Sequence, residues 1–95
     1  MILEIATFDI KDGHQAAFEL TFQEAESVVS QSKGFISVKF HHCIEISTKY
    51  NALIHWETLE DHTIGFRQST LFTEWRAILS PHFQNPPAAE HFEIM

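Results

Sequence analysis

From Tyr50 to Leu79 the hydrophobic period changes once, and that change constrains the fold more than any other feature of the chain. Tyr50, Ala52, Ile54 and Trp56 alternate with a period of two, the mark of a half-buried strand. Thr58 then stands three residues before Asp61, the pattern of a helix cap. Helical spacing follows through Leu59-Glu60-Asp61-His62 and, after a break at Gln68-Ser69-Thr70, through Leu71–Leu79. Pro81 ends that helix. A strand running directly into a covering helix needs more strands beside it, and the rest of the chain supplies them.

Residues 2–9 alternate as a first strand, with Leu3, Ile5 and Thr7 on one face and Ile2, Glu4, Ala6 and Phe8 on the other. Asp12 and Gln15 have capping-box spacing for a helix through about Gln31, whose apolar stripe is Phe18, Phe22, Ala25 and Val29. Gly34 is placed to take the left-handed conformation after it. A second strand spans 35–44, with Ile36, Val38, Phe40, His42 and Ile44 opposed to Phe35, Ser37, Lys39, His41 and Cys43. Asn85-Pro86-Pro87 reads as a rigid connection into a last strand near 89–95. The order β-α-β-β-α-β predicts an α+β, ferredoxin-like antiparallel sheet in one domain, residues 1–95. Both helices then cover one face. The other face, including Ser37, Lys39, His41, Asn51 and His55, is left bare, which predicts a homodimer joined sheet to sheet.

A chain of 95 residues buries roughly 60–68% of its unfolded surface, a modest core for nine Phe, two Trp and one Tyr. Part of that aromatic area is therefore available for a ligand or a partner. Six Lys+Arg against thirteen Asp+Glu give a net charge of −7, which opposes nucleic acid and anionic membrane surfaces. No run is long and apolar enough to span a bilayer, and a single cysteine, Cys43, forms no internal disulfide. The expected setting is cytoplasmic. Seven histidines invite a metal, yet no His-x-x-x-His or His-Glu-x-x-His spacing occurs. His41 and His42 point to opposite faces and cannot chelate together. No glycine-rich phosphate loop exists, so neither a metal nor a bound cofactor is expected.

The segment Trp56-Glu57-Thr58-Leu59-Glu60-Asp61-His62, with Gly65-Phe66-Arg67, Glu74-Trp75-Arg76 and the closing Glu90-His91-Phe92, resembles the antibiotic biosynthesis monooxygenase domain family. The resemblance implies a dimeric α/β barrel with a pocket between sheet and helices in each subunit. It also implies oxidation of a small aromatic or quinol-like molecule by molecular oxygen without a bound cofactor. The haem-degrading relatives use an Asn in the first strand and a Trp–His pair on the helical segment. Here Ala6, Phe66 and Arg76 stand at those positions, which opposes haem degradation.

Cofactor-free oxygenation needs a base, a dry pocket and donors for the developing oxyanion. His62 and His91 are the candidate bases, because imidazole titrates near neutrality. His62 and Phe66 are four apart on one helical face; the plainer reading of His62 is a surface side chain near a helix start. His91 shares a strand face with Glu93, which would orient it. Trp56, Phe66, Phe72, Arg76 and His41 are the candidate pocket residues. Trp56 also reads as a core anchor, Arg76 as an exposed ion-pair partner, and His41 as part of the dimer interface. The competing functions are a non-catalytic ligand-binding or stress-related dimer, and a proton-transfer isomerase or decarboxylase.

Overall fold

The computed structural model describes all residues 1–95. Its strands are β1 (Ile2–Ile10), β2 (Phe35–His42), β3 (Lys49–Trp56) and β4 (Phe83–Glu93), in the sheet order β2-β3-β1-β4 with every pairing antiparallel. The helices are α1 (Gln15–Glu19), α2 (Phe22–Val29) and α3 (Thr70–Leu79). A π-helical turn (Asp61–Phe66) precedes α3 and a 3₁₀ turn (Ser80–His82) follows it. This is the expected ferredoxin-like arrangement.

The core follows the strand alternation. Ala6, Phe8 and Ile10 on β1 and Tyr50, Ala52, Ile54 and Trp56 on β3 point inward. They meet Phe18, Ala25 and Val29 of the first helical pair, and Phe66, Trp75 and Leu79 of the second. Edge-on and stacked ring pairs, Phe8–Phe18, Phe22–Phe40 and Phe66–Trp75 among them, fill the layer between sheet and helices. The opposite face carries Leu3, Ile5, Thr7, Leu53, His55 and Asn51 partly exposed, and no element of the chain covers it.

Four local features differ from the sequence expectation. Asp12 does not cap the first helix. Gln15 accepts from the Gly13 N–H and donates to Asp12, closing a turn ahead of a helix that begins after His14. The helix is also two pieces, because the Thr21 hydroxyl donates to the Phe18 carbonyl and competes with the helical ladder. In β2, Phe35 lies opposite Trp56 and Ser37 opposite His55, so a bulge at Ile36 exchanges the faces of Phe35 and Ile36, while Val38 and Phe40 point inward as expected. Phe35 packs edge-on against Trp56, while Ile36 is 46% exposed. Finally, β4 runs straight through Asn85-Pro86-Pro87. It is an edge strand, and the bulge between Asn85 and Ala88, opposite Phe8, absorbs the two residues that lack an N–H.

The turn that presents His62 is firmly anchored. Asp61 N–H donates to Thr58 Oγ1 and Thr58 N–H to Asp61 Oδ2, both at 3.2 Å, a reciprocal capping box. Gly34 has φ +82°, and a Cβ there would sit 2.0 Å from Asp61 Oδ2. The turn is π-helical because Arg67 N–H reaches back five residues to the His62 carbonyl at 3.0 Å.

Candidate functional site

The site begins with a carboxylate where the strand alternation calls for an apolar residue. Glu4 lies on the inward face of β1 and is 4% exposed. Such a group is tolerated only when its oxygens are met by partners. Trp56 Nε1–H on β3 donates to Glu4 Oε1 at 2.9 Å. His62 Nε2, from the π-helical turn, stands 3.4 Å from Glu4 Oε2. His62 Nδ1 is in turn 2.7 Å from Nε2 of His91 on β4, and β4 is in register so that His91 lies directly opposite Glu4. The Trp56 ring also stacks on His62 at 5.4 Å between centroids. Four elements thus deliver one chain of contacts: Trp56, Glu4, His62, His91.

Burial decides where the protons reside. It pushes the Glu4 carboxyl up to about 7, with the Trp56 hydrogen bond and the Arg67 charge pulling partly back. It pushes His62 down to about 4, with His91 and Arg67 adding to the effect. His91 is lowered too, by partial burial and then by Arg67. A 3.4 Å contact between His62 and Glu4 would suit an ion pair, but His62 is 3% exposed and the cost of burying both charges outweighs their attraction. The contacts are met in sequence when Glu4 O–H faces His62 Nε2 and His62 Nδ1–H donates to His91, a tautomer assigned from the hydrogen-bond geometry.

Two adjoining compartments open beside this chain. The inner one, about 90 Å³, is lined by Glu4, His62, Phe66 and Arg67. The outer one, about 340 Å³, lies between α3 and the start of β4 and is lined by Arg76, Leu79 and Phe83 among others. Phe8, Phe72, Trp75 and Pro87 wall both, so the two form one cleft. Arg67 and Arg76 stand 6.0 and 5.9 Å from the Phe72 ring centroid.

The profile of the antibiotic biosynthesis monooxygenase family matches residues 1–78. The chain belongs to the antibiotic biosynthesis monooxygenase family. It is 42% identical over 93 residues to the uncharacterised protein YczJ of Bacillus subtilis, covering 98% of each chain. A crystal structure of a candidate family member from Bordetella bronchiseptica is 33% identical, with a TM-score of 0.95 over 99% of this chain and 96% of that one. SnoaB, described as a cofactor-independent oxygenase of Streptomyces nogalater, shares the fold at TM-score 0.79, with 16% identity over 98% of this chain and 91% of its own.

The two candidate bases are in direct contact with each other. His91 meets His62 rather than pairing with Glu93. Phe66 and Phe72 wall the inner compartment edge to face at 5.6 Å, and Arg76 lines the outer one with no carboxylate beside it. Two of the expected pocket residues lie elsewhere. Trp56 is fully buried behind Glu4, so it is the core anchor and touches no cavity. His41 is on the far face of the sheet, its Nδ1 3.0 Å from Asn51 Oδ1, because the odd positions of β2 after the bulge at Ile36 point away from the helices. Sequence reasoning missed Glu4 and Arg67. The signal for Glu4 was a carboxylate in phase with Ala6 and Phe8; for Arg67 it was a cation directly after Phe66. No three His, Cys, Asp or Glu side chains gather as a metal site, and no helix is long and apolar enough to cross a membrane.

Proposed function

We propose that the protein is a cofactor-independent monooxygenase acting on a small aromatic or quinol-like substrate, with His62 as proton acceptor and Glu4 and His91 sharing the proton. The observation that carries this reading is a carboxyl–imidazole–imidazole chain, its Glu4 and His62 buried, beside an aromatic cleft. An electron-rich phenol or enol gives an electron to oxygen once its proton has left. Superoxide and the substrate radical then join at carbon, and loss of water leaves the new carbonyl. One oxygen atom ends in the product and the other in water. His62 is neutral and faces the inner compartment. Above about pH 7 the ionised Glu4 behind it stabilises the imidazolium that forms. Arg67 supplies a cation for the phenolate.

The subunit would work as a homodimer through the bare sheet face, where Leu3, Ile5 and Leu53 lie partly exposed. Light scattering should then give twice 11.0 kDa, and a monomer at micromolar concentration removes the dimer from the proposal.

Oxygen uptake in metal-free buffer with dihydroxynaphthalene- or anthrone-type probes tests the chemistry. We expect uptake to rise with pH through about 7, and to fall in His62→Ala and His91→Ala. Silence across a varied panel of electron-rich phenols overturns the oxygenase. The same relay also suits enolisation, so exchange of substrate hydrogen with deuterated water under nitrogen, without oxygen uptake, would make the protein a proton-transfer enzyme instead.

A further inference from the structure

We propose that the cleft selects an anionic aromatic ligand, a ring system carrying a carboxylate or phosphate group that Arg76 holds in the outer compartment. Its hydroxyl end would face Glu4, His62 and Arg67, and this part rests on the oxygenase reading. The anion end does not.

The chain has six cations, Lys11, Lys33, Lys39, Lys49, Arg67 and Arg76. None of the four lysines lines the cleft, and both arginines do, one in each compartment around Phe72. Neither guanidinium is paired. The carboxylate contacts within 4.0 Å are His42–Glu19 and His62–Glu4. Thirteen carboxylates surround two arginines in this chain, yet none of the thirteen lines the outer compartment. The inner compartment holds one, Glu4, which keeps its proton up to about pH 7. Ser80 and Gln84 add neutral donors at the outer wall, while the Asn85 amide is already tied to Asp9. A molecule with net charge −7 repels anions over most of its surface, so an outer compartment with a free guanidinium and no carboxylate in its lining is a local reversal of sign. The planar guanidinium fork matches carboxylate and phosphate oxygens, and the flanking rings of Phe72 and Trp75 match a flat apolar body.

Binding of 1-naphthoate, 1-naphthyl phosphate and the neutral 1-naphthylmethanol, measured by calorimetry on the full chain, tests the proposal without any turnover. We expect at least one anion to bind about tenfold more tightly than the alcohol at low salt, since hydrogen bonds to charged groups discriminate on that order. The preference should narrow as salt rises and shrink to about threefold or less in Arg76→Gln. Arg76→Lys, which keeps the charge and loses the fork, should fall between. Which anion binds tighter identifies the acid group. Equal binding of alcohol and anions, no anion binding at millimolar concentration, or an undiminished preference in the Arg67→Gln/Arg76→Gln double variant overturns the proposal. Oxygen uptake with a neutral dihydroxynaphthalene is judged separately, so either reading can fail while the other stands.

Discussion

Burial of Glu4 beside His62 exchanges the site of a proton without changing the number bound, and this has a testable signature. In the unfolded chain Glu4 ionises near 4.5 and His62 loses its proton near 6.5, so between those values the pair holds one proton, on the imidazole. In the fold Glu4 titrates at about 7 and His62 at about 4, so the pair again holds one proton, now on the carboxyl. Folded and unfolded states bind equal numbers of protons, and the pair contributes almost no slope to stability against pH. Single substitutions unmask the halves. In Glu4→Gln only the depressed His62 remains, so stability is full above 6.5 and lost as pH falls toward 4. In His62→Gln only the raised Glu4 remains, so stability is full below 4.5 and lost as pH rises toward 7. A displacement of this size corresponds to about 3 kcal/mol, with slopes up to about 1.4 kcal/mol per pH unit. Urea unfolding of the three proteins between pH 4 and 8, each variant read as its difference from the parent, measures these slopes. Opposite signs are expected. Parallel profiles, or slopes of the same sign, would refute the shared-proton account.

Trp56→Phe keeps an aromatic ring but loses the pyrrole half of the indole, and with it the N–H that donates to Glu4 Oε1, leaving a buried oxygen unmet. Denaturant titration should show a loss of about 1–3 kcal/mol, and the pH at which oxygen uptake rises should move upward because a bond to the charged carboxylate has gone. Gly34→Ala forces a side chain into φ +82° and against Asp61 Oδ2, breaking the capping box below His62. About 2 kcal/mol of stability should be lost by thermal or chemical melts, and an unchanged midpoint would show that the turn does not depend on this contact.

Much of the fold is legible in the sequence because strand faces are written in a period of two. Tyr50, Ala52, Ile54 and Trp56 all point inward as their alternation requires. Thr58 with Asp61 caps the turn, and Gly34 takes positive φ. The misses have physical causes. One extra residue at Ile36 exchanges the faces of Phe35 and Ile36 at the start of β2, and no composition signal marks it. Pro86 and Pro87 punctuate most strands, but an edge strand with a bulge accommodates them. The site was half legible. His62 and His91 were separable as candidates by residue type, but their contact spans 29 residues and depends on β4 pairing with β1 in one register. Glu4 could be seen as misplaced among apolar neighbours. Its meaning depends on three partners from three other elements, which only the folded chain assembles.

The π-helical turn at Asp61–Phe66 loosens the tie between the site's geometry and the exact length of the chain. One residue more per turn than an α-helix means that counting residues along this segment does not count turns. Deleting a single exposed position such as Ile64 would leave the Arg67 N–H four residues from the His62 carbonyl, ordinary helical spacing, so the same bond would close. The segment from Arg67 onward would keep its direction relative to the cap. Relatives shorter here by one residue would thus differ in their letters while sharing the geometry.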